Sequence, residues 1–388
     1  MSASWDGVVV ICGTTYWSGI QLLDQHIAEG LTDYAPVLYV DPPTSLLTRF
    51  RNPQAATSAG EPGLSMVKPG LAVLRPRVLP LKERPIGKQL ALATVRRAMR
   101  RAVRELGATR VHALIVPSLN PLFGTLDEAV SVFYAKDDYL AGAGLMGIHE
   151  RRLRRRAVRQ PLEADVVVTV SPVLVAQYRE LGVEAVLVPN GCDVDHFAVA
   201  DQPIPPSGAV AFVGHLSDRI DLDALEAVAA QGLDLRILGP RQETMRNVER
   251  IDAIMRRPNV QWQGPVPYDD LPAELAGVTT CLLPYAASDF NRASFPLKVL
   301  EYLAAGRRVV ATDLPAVRWL DTDLITIADG PAAFAAAVAE SVREPLLPAE
   351  IELRRAFAGE HTWDERTRRL ADVLGLVQRS PATAVGSA

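Results

Sequence analysis

Along nearly the whole chain, short apolar and β-branched runs alternate with stretches whose apolar residues recur every three or four positions. Runs of the first kind read as buried strands and stretches of the second as amphipathic helices, the pattern of parallel sheets wrapped by helices. The fold class is therefore α/β. Strands are expected at Val8–Cys12, Val37–Val40, Ala113–Val116, Val130–Tyr134, Val166–Val170 and Ala185–Val188, with a helix over Ile20–Ala28 that carries Ile20, Leu23 and Ile27 on one face. Residues 198–208 are Pro-rich, lack periodicity and read as a semi-rigid linker. The alternation then restarts, with strands expected at Val210–Val213, Leu235–Leu238, Val260–Trp262, Thr280–Leu283, Val309–Thr312 and Leu324–Ile327. A last helix from Trp363 to Val377 groups Leu370, Val373, Leu374 and Val377, and residues 380–388 are small, polar and expected to be disordered. Two α/β halves on one linker imply a shared cleft, because ligands of open α/β sheets bind beyond the carboxyl ends of the strands.

Length and charge sharpen this division. At 388 residues the chain has room for two cores. Residues 1–195 hold 22 Lys and Arg against 19 Asp and Glu, leaving 19 against 26 for the remainder, so a mildly basic half precedes an acidic one. Three widely spaced cysteines, Cys12, Cys192 and Cys281, argue against a disulfide framework and for a reducing compartment, with the cytoplasm as the expected location. No signal peptide is evident, and no apolar run reaches the roughly 20 residues that cross a bilayer. The six histidines show no paired ligand spacing, so a metal site is not expected. Asp193-Val-Asp195 has the form of a metal-binding D-x-D but sits in the turn that begins Asn190-Gly191, with no further ligands beside it.

The segment from Ser294 to Thr312 carries the most chemistry. Pro296 suits a helix start, Leu297, Leu300 and Ala304 follow at helical spacing, Gly306 suits a stop, and Val309-Val310-Ala311 reads as the next strand. Lys298 and Glu301 share a face at the N-terminal end of this helix, where free N–H groups and the dipole favour a phosphate. A cation and an acceptor there suit a diphosphate and a sugar hydroxyl; a surface ion pair is the plain alternative.

Four segments in this order carry a resemblance: Val188–Phe197, Phe212–Asp218, Val260–Gly264 and Pro296–Gly306. They resemble the GT-B glycosyltransferases, specifically the bacterial group related to the family-four retaining enzymes. The resemblance implies two Rossmann-like domains facing across a cleft: residues 1–197 for the acceptor, the linker, residues 209–362 for a nucleotide-sugar donor, and a helix over 363–379 that returns to the first domain. It implies that Glu301 accepts hydrogen bonds from the donor ribose, that the N–H groups around Leu297 and Lys298 face the diphosphate, and that Gly214 lets backbone approach phosphate. The family often carries a Glu where this chain has Ala293, and an Arg and a Lys where it has His215 and then only Arg219. Arg219, Lys298 and Arg292 are thus the available cations, and Asn291 or Ser294 stands in for the missing Glu near the sugar. Retention of configuration follows from the resemblance, with the departing phosphate helping to remove the acceptor proton.

On the acceptor side, Asp137 and Asp138 follow an expected strand and are catalytic candidates, to position or deprotonate an acceptor hydroxyl; His149 is a third. The loop Gly13-Thr14-Thr15-Tyr16-Trp17-Ser18-Gly19 offers hydroxyls and two rings for stacking on a sugar or aglycone, and is not a G-x-G-x-x-G fingerprint. Two basic runs, Arg96–Arg104 and Arg151–Arg159, interleave arginines with Met99, Val103, Leu153 and Val158, as in helices that rest on an anionic membrane or simply face solvent. Nucleic acid is not an expected partner. The expected activity is transfer of a sugar from a nucleotide diphosphate to a hydroxyl of a lipid-linked or cell-envelope glycan, or of a natural product. No bound cofactor is expected, the nucleotide-diphosphate sugar being the expected substrate. The alternatives are a non-catalytic nucleotide- or glycan-binding partner subunit and a GT-B-fold nucleotide-sugar epimerase.

Overall fold

The computed structural model describes residues 5–19, 21–45, 60–79, 85–144, 150–198, 208–242 and 245–377, without the side chains of 85, 86 and 150–152. His149, Ile20, most of the 198–208 linker and the 380–388 tail lie outside the described residues, as do the side chains of Arg151 and Arg152.

The first sheet contains β1 (Val8–Cys12), β2 (Val37–Val40), β3 (Gly63–Lys68), β4 (Leu71–Arg75), β5 (Val111–Val116), β6 (Val130–Ala135), β7 (Val166–Thr169) and β8 (Ala185–Leu187) in the order β3-β4-β2-β1-β5-β6-β7-β8. Only β3 runs antiparallel, against β4. The second sheet, wholly parallel, contains β9 (Ala209–Val213), β10 (Leu235–Leu238), β11 (Val260–Gly264), β12 (Val278–Leu283), β13 (Arg308–Thr312) and β14 (Ile325–Ala328) in the order β11-β10-β9-β12-β13-β14. Each order reverses beside the first strand of its half, which is where open α/β sheets form a ligand crevice. The hairpin β3–β4 was not among the expected strands. β3 is exposed and mixed in character, so it lacks the apolar run that marks a buried parallel strand.

The helices are α1 (Leu23–Gly30), α2 (Pro85–Glu105), α3 (Glu150–Glu163), α4 (Pro172–Glu180), α5 (Val194–Phe197), α6 (Leu222–Ala229), α7 (Val248–Met255), α8 (Leu271–Leu275), α9 (Asp289–Ala293), α10 (Leu297–Ala304), α11 (Pro315–Trp319), α12 (Pro331–Ser341), α13 (Pro348–Gly359) and α14 (Trp363–Val373). Apolar faces of these helices cover both sides of each sheet. In the first half α2 buries Val95, Met99 and Ala102 against Val8, Val10 and Leu114, while α1 buries Leu23 and Ile27 against Val9 and Ile11 on the opposite side. Neighbouring residues of one strand thus serve two cores, so these strands are apolar throughout. No helix among the described residues is long and apolar enough to cross a membrane.

The chain passes between the two halves twice, and the two passages pair. Cys192 N donates to His361 O at 2.9 Å, and Trp363 N donates to Cys192 O at 3.2 Å. Gly191 allows this approach, since a Cβ there would lie 2.7 Å from the Thr362 backbone. Thr362 caps α14 through Glu365 N, and Trp363 then stacks on His26 of α1 with ring centroids 4.6 Å apart. The last helix therefore returns to the first sheet's layer. It ends at Val373, short of the expected Val377, because Gly375 at φ +64° turns the chain out of the helix.

Candidate active site

At the carboxyl edge of the second sheet, β9 runs into Gly214 and α10 begins at Leu297. Tyr302 joins them: its hydroxyl accepts from Val213 N at 3.0 Å and donates to Val213 O at 3.2 Å. Pro296 occupies the N-cap of α10, and no side chain caps the first turn. Glu301, 4% exposed, is held by Lys298 Nζ at 2.5 Å. Gly239, at the end of β10, leaves no room for a side chain: a Cβ there would meet Gly214 O at 2.1 Å. The ends of β9 and β10 thus lie flush, and the loop after each continues the pairing, with Leu216 N donating to Pro240 O at 2.9 Å.

Arg219 projects from the loop after β9 and is held on four sides. Its Nε donates to Asn291 Oδ1 at 2.8 Å and its Nη2 to Ser294 Oγ at 3.2 Å, while the guanidinium lies over the rings of Tyr285 and Phe290 at 4.9 and 5.0 Å. Asn291, fully buried, also donates to the carbonyls of Arg219 and Ala286, both at 2.9 Å. Ser294 Oγ donates to Asn291 O at 2.9 Å. Both polar side chains are spent on protein partners, and what they present to the cleft is Arg219. Arg292 is exposed on α9, and its positive charge acts on Asp313. His215, exposed at its outer edge and only partly desolvated, is pushed below its ordinary pKa by that partial desolvation and then by the charges of Lys298 and Arg219. Three cationic or protonatable groups therefore crowd one place.

The carboxyl edge of the first sheet lies opposite. Asp138 is fully engaged: Oδ1 accepts from Leu140 N and Ala141 N at 2.9 Å each, and Oδ2 from Gln177 Nε2 at 3.0 Å. Asp137 makes no hydrogen bond or ion pair among the described residues. Burial raises its pKa, opposed by the charges of Arg219 across the cleft and of Lys136 beside it. Adjacent carboxylates thus differ in kind, one built into a turn and one unspent.

In the loop after β1, Thr14 N and Oγ1 both donate to Asp24 Oδ2 at 2.8 Å, and Lys136 Nζ donates to Thr14 Oγ1 at 2.6 Å and to both Asp24 oxygens. Thr15 Oγ1 accepts from Gln25 Nε2 at 2.9 Å, and its carbonyl accepts from Tyr39 OH at 2.8 Å. The two threonine hydroxyls shape the loop, and the rings of Tyr16 and Trp17 beside them are half-buried. Trp17 rests edge-on against Tyr39, centroids 5.1 Å apart. Asp24, Lys136, Asp41 and Tyr302 were not among the sequence candidates. Lys136 directly precedes Asp137, a local hint, whereas Asp24 looks like a solvated first-turn carboxylate. Among the described residues no group of His, Cys, Asp or Glu side chains is arranged to hold a metal ion.

Residues 208–344 match the family model described as glycosyl transferases group 1. The match covers about a third of the chain and lies within the second α/β half. Relatives of the chain in sequence include a Bacillus subtilis protein assigned to teichuronic acid biosynthesis as the glycosyltransferase TuaH, 27% identical over 170 residues, or 43% of each chain. The phosphatidyl-myo-inositol mannosyltransferase of Mycobacterium tuberculosis is 33% identical over 154 residues, 37% of this chain and 38% of its own. Each alignment thus spans less than half of the relative's length. Sucrose-phosphate synthase of Thermosynechococcus elongatus superposes with a TM-score of 0.73 at 14% identity, over 94% of this chain and 98% of its own. HepE of Anabaena, solved with UDP-glucose, superposes with a TM-score of 0.63 at 13% identity, over 95% and 99%. The chain has the GT-B fold, with both α/β halves and the returning helix, as the resemblance implied.

Proposed function

We propose that this protein transfers a sugar from a nucleoside-diphosphate donor, held by the group 1 domain, to a hydroxyl of a cell-envelope or lipid-linked glycan held by the first domain, with retention of configuration. The observation that carries this reading is the grouping of Lys298, Arg219 and His215 in front of buried Glu301, facing the unspent carboxylate of Asp137. Three cationic or protonatable groups and the uncapped first turn of α10 suit a diphosphate. Glu301 suits a ribose diol, because an ionised carboxylate accepts two hydroxyl hydrogen bonds.

In the reaction, the bond from the anomeric carbon to the donor phosphate oxygen breaks as the acceptor oxygen attacks from the same face. The departing phosphate oxygen takes the acceptor proton, while Lys298 and Arg219 offset its developing charge. Asp137 accepts a hydrogen bond from the acceptor hydroxyl and orients it. Tyr16 and Trp17 stack on the acceptor. That TuaH and the mannosyltransferase are named for envelope polymers and lipids supports an envelope acceptor.

Peripheral contact with an anionic membrane is part of the same proposal. Arg96 donates to Pro121 O, Arg100 Nε to Thr125 O at 2.8 Å, and Gln160 Nε2 to Asn120 O at 3.0 Å, so α2 and α3 both contact the loop over residues 120–125, which supports reading their exposed arginines together. Exposed Val158 and Leu162 lie along α3 beside Arg155 and Arg159. The decisive experiment is calorimetry with UDP, GDP and dTDP, followed by release of the nucleotide from the matching sugar donor with and without a membrane-extract acceptor. Absence of binding by every nucleotide would overturn the proposal.

A further inference from the structure

The acceptor loop is fastened at its far end by a buried acid that the reaction does not use. Asp41 follows β2 directly, at the carboxyl edge of the first sheet, and is 2% exposed. Its Oδ1 accepts from Trp17 N at 2.8 Å. Its Oδ2 is buried and makes no hydrogen bond; it faces Arg75 Nε at 3.6 Å, which is likewise buried without a hydrogen bond. Arg75, at the end of β4, is itself anchored through Nη1 to Ser65 Oγ of β3 at 2.6 Å. The antiparallel hairpin β3–β4 therefore ends in a cation aimed at the acid that holds Trp17.

Such a contact is unusual in a well-packed interior, where buried polar atoms are almost always paired at about 3 Å. A carboxylate and a guanidinium held just beyond hydrogen-bond range attract one another without the strong, directional bond of a fork-to-fork pair. The one hydrogen bond the Asp41 side chain makes is to the loop, at Trp17 N, while its own backbone N–H stays in the sheet on Leu74 O.

We infer that Asp41 is the positioning residue of the Gly13–Gly19 loop: as a carboxylate it fixes Trp17 against Tyr39, and on protonation it loosens the loop. The inference rests on the reading of this loop as the acceptor side. A charge-assisted hydrogen bond is about twice as strong as a neutral one, so protonation weakens the hold on Trp17 N and removes the attraction to Arg75. The charged and titratable groups facing Asp41 are Arg75 from β4, Tyr39 from β2 and Tyr16 from the loop itself. Burial pushes Asp41 up to about 6, against the Trp17 N–H and the Arg75 charge, which pull it down. The two tyrosines are raised and stay neutral in this range, so Asp41 is the group among these that titrates between pH 5 and 7. Acceptor binding is then expected to weaken on the acid side while the donor site in the other domain keeps its own behaviour.

The test is fluorine NMR of the full chain labelled with 5-fluorotryptophan, with the Trp17 resonance assigned by Trp17→Phe. In the unaltered protein this resonance should move with a midpoint near pH 6; in Asp41→Asn it should not titrate; in Arg75→Gln the midpoint should rise, because a cation that lowered it is gone. A flat Trp17 resonance, or a titration that survives Asp41→Asn, overturns the inference. If Asp41→Asn does not fold, an unmoved midpoint in Arg75→Gln overturns it equally. UDP affinity at pH 7.5 should be the same in Asp41→Asn as in the parent. Failure of UDP to bind the parent protein would remove the donor reading and leave the Trp17 titration to be judged by itself.

Discussion

Lys298 Nζ lies 2.5 Å from Glu301 Oε2, one turn apart on α10, and Glu301 is the deeper of the two, its side chain 5% exposed against 22%. A carboxylate so buried needs a partner, and its partner is the residue that would otherwise reach a phosphate. The pair therefore does two things at once: it sets a cation against the buried carboxylate and holds Lys298 at the helix start. Glu301→Ala should weaken UDP or GDP binding by about 1.5 to 3 kcal/mol, roughly 10- to 100-fold, through loss of the ribose hydrogen bonds. Lys298→Ala should weaken binding and also lower Tm, since it strands a buried charge. Unchanged nucleotide affinity of Glu301→Ala in calorimetry would remove Glu301 from the donor site.

His215 provides a test through protons. Burial, Lys298 and Arg219 hold its pKa below the ordinary 6.5, so it is mostly neutral at pH 7 in the free protein. A bound diphosphate supplies negative charge at the same place and must raise that pKa. Between the free and bound values the complex holds more protons than the free protein, so nucleotide affinity should increase as pH falls through that window. Calorimetry on the acid side of neutrality in buffers of different ionisation enthalpy should show more proton uptake on UDP binding in the parent protein than in His215→Gln. Equal proton exchange in the two would place the diphosphate elsewhere.

Much of this arrangement was legible in the chain, and what was not has a common cause. Strands such as Val8–Cys12 and Ala209–Val213 are buried on both faces and leave unbroken apolar runs; the helix with Lys298 and Glu301 advertises itself by spacing. The β3–β4 hairpin escaped because Ser65, Lys68 and Arg75 interrupt it, although Leu71-Ala72-Val73-Leu74 is an apolar run that could have marked β4. Asp24 and Lys136 meet across 112 residues, and Asp41 and Arg75 meet only because β2 and β4 are neighbours. A buried charge of this sort looks, in sequence, like any solvated one. Asn291 and Ser294 were read as sugar contacts from position alone; nothing local reveals that Arg219, some 70 residues earlier, takes up their hydrogen bonds.

That hold on Arg219 makes a second pair of variants informative. Asn291→Ala leaves Arg219 Nε without its acceptor, at about 1 to 3 kcal/mol for the group left unsatisfied, while the carbonyls of Arg219 and Ala286 each lose one of two donors and keep Ala286 N and Ser288 N. Its Tm should fall and its nucleotide affinity should fall with it, because the cation is no longer aimed. Arg219→Lys should instead keep the fold and lose affinity, since an ammonium cannot make the planar donor fork or lie between Tyr285 and Phe290 in the same way. If both variants bind nucleotide as tightly as the parent, Arg219 is a structural residue only.

The two adjacent aspartates give the sharpest contrast. Asp138 accepts three hydrogen bonds, two from backbone N–H groups of the turn that follows and one from Gln177, so Asp138→Ala should lower Tm by several degrees, in keeping with roughly 1 to 3 kcal/mol, and affect turnover only through the turn. Among the described residues Asp137 has no such partners, and loss of solvent raises its pKa, so Asp137→Asn removes a half-buried charge that the site disfavours and should leave Tm unchanged or higher. If Asp137 orients the acceptor hydroxyl, the same substitution should cut kcat on the order of 100-fold while UDP affinity, set in the other domain, stays within about twofold. Thermal unfolding and calorimetry on both variants, with nucleotide release as the activity readout, separate the roles. Full turnover by Asp137→Asn would leave the first domain's contribution to stacking and binding alone, and loss of UDP affinity in that variant would mean that the carboxylate reaches across the cleft to the donor.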